Sequence, residues 1–466
     1  MAFLGGFDGI VVAAARGART ACRPFGERGF AAAAGLIAWF AVLLASPAAA
    51  NPGETFSSFT DDGAWCWFSD PRAVARAGRT FAGWVAADGS IVVGAWAHAN
   101  GRITTEVLHP QFEHDDHDNP ALLVLPDGRL AAFYSLHASG DMRLRVTVRP
   151  DDITAWTTER SLGFVAPDRG RRGTTYANPV LLRDESNALY VFWRGSDFKP
   201  TFSISRDLGA TWSAPRTLLA RPGADDTNRP YLKLCSDGAG RIDFVFTDGH
   251  PRNEAANSVS YFRYERGAFW KADGTRLGGL ADLPLDPARC DRVYDGASNG
   301  RAWIWDIAMA RDGHPAIAFS RLPAEEDHHY TFARWDGAAW RISEICPAGR
   351  WFPQTPAGKM EPEPHYSGGM SLDPADPFTV YTARRIDGIF EIEYWRSADA
   401  GATWTGRPLT SHSRRDNVRP FAVRAATADG PAVLWMSIER YVHYTDFRAA
   451  LKAAGGQASS AGTLRP

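Results

Sequence analysis

The sequence predicts an all-β fold, a seven-bladed β-propeller, on three observations. The 466 residues include 17 Trp, 44 Gly and 30 Pro, a composition that suits many short strands joined by tight turns and suits packed helices poorly. Seven times an apolar run enters a turn and another leaves it, at a mean spacing just under 60 residues, which is the size of a four-stranded blade. No stretch between residues 60 and 445 sustains helical periodicity.

The chain opens with a leader. Residues 30–46 (FAAAAGLIAWFAVLLAS) are uncharged, follow Arg16, Arg19, Arg23 and Arg28, and precede an Ala48-Ala49-Ala50 site. This is a signal-peptide pattern over residues 1–50, cut after Ala50, and it predicts a secreted or periplasmic protein. Removing it takes away four Arg and two acids, leaving 47 basic against 51 acidic residues, net −4. Such a body has no basic field to neutralise phosphates, so a nucleic-acid partner is excluded. With no second apolar span, the mature protein is expected off the membrane and monomeric. Cys66, Cys235, Cys290 and Cys346 remain; export permits disulfides, yet the spacing matches no disulfide scaffold.

From residue 51 to 450 the elements follow in order. The hairpin turns are Ala87-Asp88-Gly89, Pro126-Asp127-Gly128, residues 184–187, residues 236–240, Arg311-Asp312-Gly313, residues 373–377 and Ala428-Asp429-Gly430. First strands open on a polar residue and proline at Asn119-Pro120, Asn178-Pro179, Arg229-Pro230 and Arg419-Pro420, as proline at a strand start should. A lone Trp recurs late in successive units, at Trp156, Trp212, Trp270, Trp340 and Trp404. Two of these close SRDLGATW (205–212) and SADAGATW (397–404), which match the Asp-box of sialidase-type propellers, a structural hairpin that identifies fold and not function. Residues 65–68 are expected to join the last blade and close the ring, and residues 451–466 to form a loose tail.

If the first strand of each blade lines the axis, its start and the end of the second strand share one face. That rule collects His98 from blade 1, His114, His117, Asn119 and His137 from blade 2, and Tyr176, Asn178 and Arg194 from blade 3. Blade 4 adds Arg229 and His250, blade 5 Trp305 and Arg321, blade 6 His365 and Tyr366, and blade 7 Arg419. The opposite face carries mostly Asp, Gly, Ser and Pro.

A face rich in Arg and His but thin in paired carboxylates suits an anionic ligand, because Arg offers a carboxylate a planar bidentate fork. Uronic-acid glycans are natural candidates for an exported protein. Their 4-linked chains can be cut by β-elimination, which needs a cation to neutralise the carboxylate, a base for the C5 proton and an acid for the leaving oxygen. Arg194, His117, His137 and Tyr176 could fill these roles without a metal.

Residues 114–122, with Tyr176-Ala177-Asn178-Pro179, Phe192-Trp193-Arg194-Gly195, residues 62–68, Thr247-Asp248-Gly249-His250-Pro251 and residues 364–369, resemble the BNR-repeat family that includes seven-bladed ulvan lyases and L-rhamnose-α-1,4-D-glucuronate lyases. In those lyases two His, then a Tyr and an Arg, at comparable separations form the catalytic cluster; here His117 and His137 are 20 residues apart and Tyr176 and Arg194 are 18 apart. The resemblance implies a polysaccharide lyase with Arg194 as carboxylate neutraliser and the His and Tyr as acid and base, and leaves open which of the three is the base. The family also holds an α-L-rhamnosidase branch.

The alternatives are a rhamnosidase- or sialidase-like glycoside hydrolase and a non-catalytic glycan-binding propeller. A hydrolase needs two carboxylates across the bond, which Asp115, Asp116, Asp118 and Asp306 could supply; the acids of residues 114–119 could instead orient the histidines. The sialidase reading lacks its expected Arg-Ile-Pro segment. No cofactor is expected for catalysis, and a structural metal is left open: Cys235, His250 and Cys290 lie too far apart on a hairpin to share an ion, and His114, Asp116 and His117 are the better local cluster.

Overall fold

Strand burial follows position in the blade. Second strands are buried on both faces and read as apolar runs, as in Ala188–Arg194 (ALYVFWR), whereas outer strands mix buried and exposed positions, as in Ile103–His109 (ITTEVLH). In a computed structural model, which describes residues 56–455 apart from 138, 165–172, 224–228, 351–358 and 360–367, these strands form seven antiparallel sheets. The protein is a seven-bladed β-propeller. The innermost strands are Ala73–Arg76, Ala121–Val124, Thr175–Leu182, Tyr231–Ser236, Arg301–Met309, Met370–Leu372 and Asn417–Ala422. The face on which they begin is called upper here. Among the described residues no helix is long and apolar enough to cross a membrane. The expected leader, and the tail beyond residue 455, lie outside the described residues.

The two Asp-boxes fold alike. In each, a Ser hydroxyl (Ser205, Ser397) accepts from the Gly N–H (Gly209, Gly401) at 2.7 Å, and an Asp (Asp207, Asp399) accepts from the Thr N–H at 2.8 Å and the Thr hydroxyl at 2.6 Å. Trp212 then packs edge-on against Phe133 and Phe164 of the preceding blade, and Trp404 against Phe332. The period of the tryptophans is thus a period of blade packing.

Three boundaries differ from the sequence reading. Ring closure is made by Ser57–Thr60, which pairs with Asp446–Gly455, and not by residues 65–68. That last strand runs to Gly455, past the expected boundary at 450, because Leu451 and Ala453 are core residues. Blade 1 begins one strand earlier than expected, at Ala73–Arg76, and a two-residue turn at Ala77-Gly78, both with positive φ, leads to Arg79–Val85. The strand is short and small (AVAR), so it gives no apolar signal.

The blade 1 shift reverses the geometry of that blade. The Ala87-Asp88-Gly89 turn lies on the upper face, and Ile91–Ala97 descends, so His98 stands on the lower face. There its N–H donates to the Gly78 carbonyl at 2.9 Å and its ring faces Gly430. His98 is therefore no part of the upper site.

Residues 65–68, freed from the expected closing role, cross the upper end of the axis. Asn119 accepts from Cys66 N at 3.0 Å and donates to the Ser69 carbonyl, and Asn178 donates to the Phe68 carbonyl at 2.9 Å. Arg419 donates to the Trp65 carbonyl at 2.7 Å, and Lys233 donates to the Trp67 carbonyl and to Asp70. Four blades thus hold this segment.

Candidate active site

Above the axial segment is a cavity of about 240 Å³, walled by residues from blades 2, 3, 4, 5 and 7 and by Cys66, Trp67 and Phe68. His117, His137, Tyr176 and Arg194 all line it. A second, larger cavity of about 560 Å³ opens at the lower end of the axis. Its walls are mainly aliphatic, with Leu123, Val180, Leu234 and Ile307 among them, and it brings together no histidine.

The histidine pair is built by a tight turn and a strand end. Asp115 caps a single turn over Asp116–Asp118 and accepts from His117 N at 2.9 Å. Its carboxylate also bridges the two imidazoles, at 2.5 Å from His117 Nδ1 and 2.9 Å from His137 Nδ1. The rings stack with centroids 4.1 Å apart and an interplanar angle of 14°. With both Nδ1 atoms held by Asp115, the Nε2 atoms are left for the cavity. Tyr444, from the turn closing the last blade, stands edge-on to both rings at 4.8 and 5.4 Å.

The pair is electrostatically split. Burial opposes a charge on His117, but the Asp115 carboxylate against its Nδ1 outweighs burial and holds it protonated well above the ordinary His range. Burial, the charge on His117 and Arg194 together depress His137 to about 4. Two like rings in van der Waals contact cannot both be charged cheaply. At neutral pH, therefore, His117 carries a proton on Nε2 and His137 offers a lone pair. Asp115 is held below the ordinary carboxylate range by the two imidazoles although burial works the other way.

Tyr176 sits at a β-bulge with φ +68°, which turns its ring from the blade into the cavity. Burial keeps its phenol protonated far above the usual range. Arg194 ends the neighbouring strand and is held by aromatic rings: its guanidinium lies 4.7 Å from the Tyr176 centroid and 5.0 Å from that of Phe198, and it donates to the Tyr231 hydroxyl at 2.9 Å. No carboxylate pairs with Arg194 among the described residues, and its buried Nε has no hydrogen-bond partner. A partly buried guanidinium without an acid partner keeps its charge available to an anion.

The remaining expected residues divide. Arg229 lines the cavity with its guanidinium over Phe198 at 4.4 Å, and His250 lines it against Trp303, pushed down to about 3 by burial and by Arg252 and Arg194. Arg419 also reaches the cavity, but it is committed to Asp116 at 2.6 Å and to Tyr441. Asn119 and Asn178 act beneath the site as the latches of the axial segment. His114 packs on Phe447 outside the cavity lining. Arg321 pairs with Glu344 at 3.1 Å away from the cavity.

Trp305, expected on the upper face, is a core residue: it is 1% exposed, packs at a tilt against Trp67 and donates to Ser320. Its strand starts at Arg301, so Trp303 holds the rim position expected of Trp305. His365 and Tyr366 lie outside the described residues. Asp306 is bound by Arg424, Ser371 and the Leu372 N–H, far from any reacting position.

Several lining residues were not found in the sequence. Tyr231 follows Arg229-Pro230 and was within reach of the strand-start rule. Arg252 and Glu254 sit in a loop, Tyr444 in a late turn, and Tyr441 near the end of the long strand Pro431–His443, where no strand-start or strand-end rule marks them.

Two groups of side chains come close enough to share a metal ion, Cys66 with Asp116 and His117, and Asp115 with His117 and His137. Cys235, His250 and Cys290 do not converge, and all four thiols of residues 66, 235, 290 and 346 are unpaired. Most donors of the two groups are already engaged, although Asp116 Oδ1 has no hydrogen-bond partner. Asp115 binds both imidazoles, Asp116 binds Arg419 and Tyr441, and His117 is protonated. These contacts fit hydrogen bonding better than a cation.

A seven-bladed propeller with a His-Tyr-Arg cavity at the upper end of its axis is the class that fold and site define. Residues 79–347, more than half of the chain, match the BNR repeat-containing family, and the chain belongs to that family. No curated protein matches the sequence. Among solved structures it is similar to an ulvan lyase of a polysaccharide lyase family, PL25, bound to a GlcA(1-4)Rha3S saccharide, with a TM-score of 0.68 and 15% identity over 86% of this chain and 96% of that one. A second structure of the PL25 ulvan lyase gives a TM-score of 0.68 at 14% identity, with 86% of this chain and 96% of that one covered. The polysaccharide lyase Uly1 gives 0.54 at 12% identity, with 85% and 97% covered. At these identities the likeness is one of fold.

Proposed function

We propose that the protein is an exported polysaccharide lyase that cleaves a uronic-acid-containing glycan by β-elimination. The observation that carries this reading is the stacked histidine pair, one ring charged and one neutral, beside a partly buried arginine with no acid of its own. In the proposed reaction the uronate carboxylate binds Arg194. His137 Nε2 takes the C5 proton, the electron pair forms the C4–C5 double bond, and the C4–O4 bond breaks as His117 Nε2–H protonates the leaving oxygen. Tyr176 donates a hydrogen bond to the charge that develops.

Substrate binding also prepares the base. Arg194 is one of the charges that depress His137, so a carboxylate on Arg194 removes that charge and raises the basicity of His137 when it is needed. Arg229 and Arg252 line the same cavity without acid partners among the described residues, which supports a polyanionic chain. The PL25 ulvan lyase of similar fold holds a glucuronate-containing saccharide, which supports the same class of substrate.

Hydrolysis is disfavoured because Glu254 is the one acid among the described lining residues, and hydrolysis of a glycosidic bond needs two. The test is incubation with ulvan and other uronate glycans while following the ultraviolet absorbance of an unsaturated uronyl end. Wild type is expected to develop it, and His137→Ala and Arg194→Ala to lose it. Wild-type rates in both variants would overturn the assignment.

A further inference from the structure

Behind the histidine pair lies a third acid that the proposed reaction does not use. Asp118 is 1% exposed, and neither of its carboxylate oxygens accepts a hydrogen bond from any donor. The side chain that meets it in a hydrogen bond is another acid, Glu113. Glu113 in turn accepts from the backbone N–H of His137 at 2.9 Å. Two acids can share such a contact only if one keeps its proton.

The charged groups acting on Asp118 are Asp115, Glu113 and His117, and only His117 favours ionisation. The strands packed on this turn, Arg79–Val85 and Thr175–Leu182, bring it no cation, since Arg79 stands at the lower end of its strand.

We propose that Asp118 and Glu113 form a buried acid–carboxylate pair that ties the turn carrying His117 to the backbone of His137 and so sets the spacing of the two imidazoles. Asp118 is a positioning residue for the elimination, a role that rests on the lyase reading. The pair itself does not depend on that reading. Protonated Asp118 donates to Glu113, which holds two donors, one from each side of the histidine stack.

The proton gives a signature that a packing role would not. At neutral pH the infrared spectrum of wild type is expected to show the C=O stretch of an un-ionised carboxyl group that Asp118→Asn removes and that Glu113→Gln shifts in frequency by changing its acceptor. Asp118→Asn keeps a donor, so its kcat should stay within ~3-fold of wild type, whereas Asp118→Ala should lower kcat ~10–100-fold with little change in KM, the usual cost of losing such an outer partner.

The native state holds a proton that the unfolded chain releases in the ordinary aspartate range. Wild type should therefore lose stability relative to Asp118→Asn as the pH rises from acid to neutral. No protonated carboxyl at neutral pH, or parallel stability curves for the two proteins, would overturn the pair. Wild-type kcat in Asp118→Ala would overturn its positioning role. If wild type eliminates nothing, the lyase reading fails while the spectrum and the stability curves still decide the pair.

Discussion

Asp115 sets what the two histidines can do, because it fixes both rings through Nδ1 and leaves them in opposite charge states. Asp115→Asn is expected to keep the fold and lower kcat by ~10²–10⁴, the range for losing acid–base catalysis, measured as initial rates of product absorbance. The pH profile of kcat/KM for the free enzyme should have an acid limb near the His137 value of about 4, below which the base is protonated. Its alkaline limb should lie well above 6.5, where His117 loses its proton. An acid limb at the ordinary His value would contradict the split. The spacing of His117 to His137 and of Tyr176 to Arg194 was legible in the sequence, because each pair spans one hairpin and the hairpin rule sees it. Asp115 was legible only as one of four neighbouring acids. Tyr444 was not legible at all, since it comes from a turn more than 300 residues further along and only ring closure brings it over the pair.

At the scale of elements, the blade period was readable because its markers are local: the Asp-box hydrogen bonds all fall within eight residues. Errors arose where a strand was short or started early, as with Ala73–Arg76 and Arg301–Met309, and each moved a candidate, His98 to the other face and Trp305 into the core. The two boxes make a paired prediction. Gly209 and Gly401 have φ +91° and +92°, so Ala at either costs more than ~1 kcal/mol. A Cβ at 401 would also lie 2.4 Å from the Phe332 ring, against 3.2 Å from Leu144 at 209. Gly401→Ala should therefore cost a further ~1–3 kcal/mol for overpacking, read from urea midpoints. The axial segment makes another. Asn119→Ala and Asn178→Ala each strand buried carbonyls or N–H groups of residues 66–69, and each should lose ~1–3 kcal/mol of stability together with activity, although neither side chain lines the cavity.

For the whole molecule, closure depends on Ser57–Thr60 completing the last blade. Its removal exposes Asp446–Gly455 as an edge, which should lower Tm and promote association, seen by calorimetry and light scattering. The histidines also give the fold an acid limit. His137, His250 and His328 are depressed to about 4, 3 and 3 by burial before any other cause. The unfolded chain therefore binds more protons than the native state as the pH falls through 6.5, and stability should drop from there down to about 3. His117, raised, contributes only above that window, and Asp118, which keeps its proton in the fold, acts against the three within it. The seven-fold period that places these residues also puts six of the seven Asp-, Gly- and Pro-rich turns on the lower face, away from the cavity, with the blade 1 turn the exception, and the claim that matters most is that bond cleavage at the cavity is an elimination. Mass spectrometry of the products of a defined uronate oligosaccharide tests it directly. Elimination predicts two fragments whose masses sum to that of the parent, one bearing a double bond; fragments that together exceed the parent by one water would show hydrolysis and contradict the account.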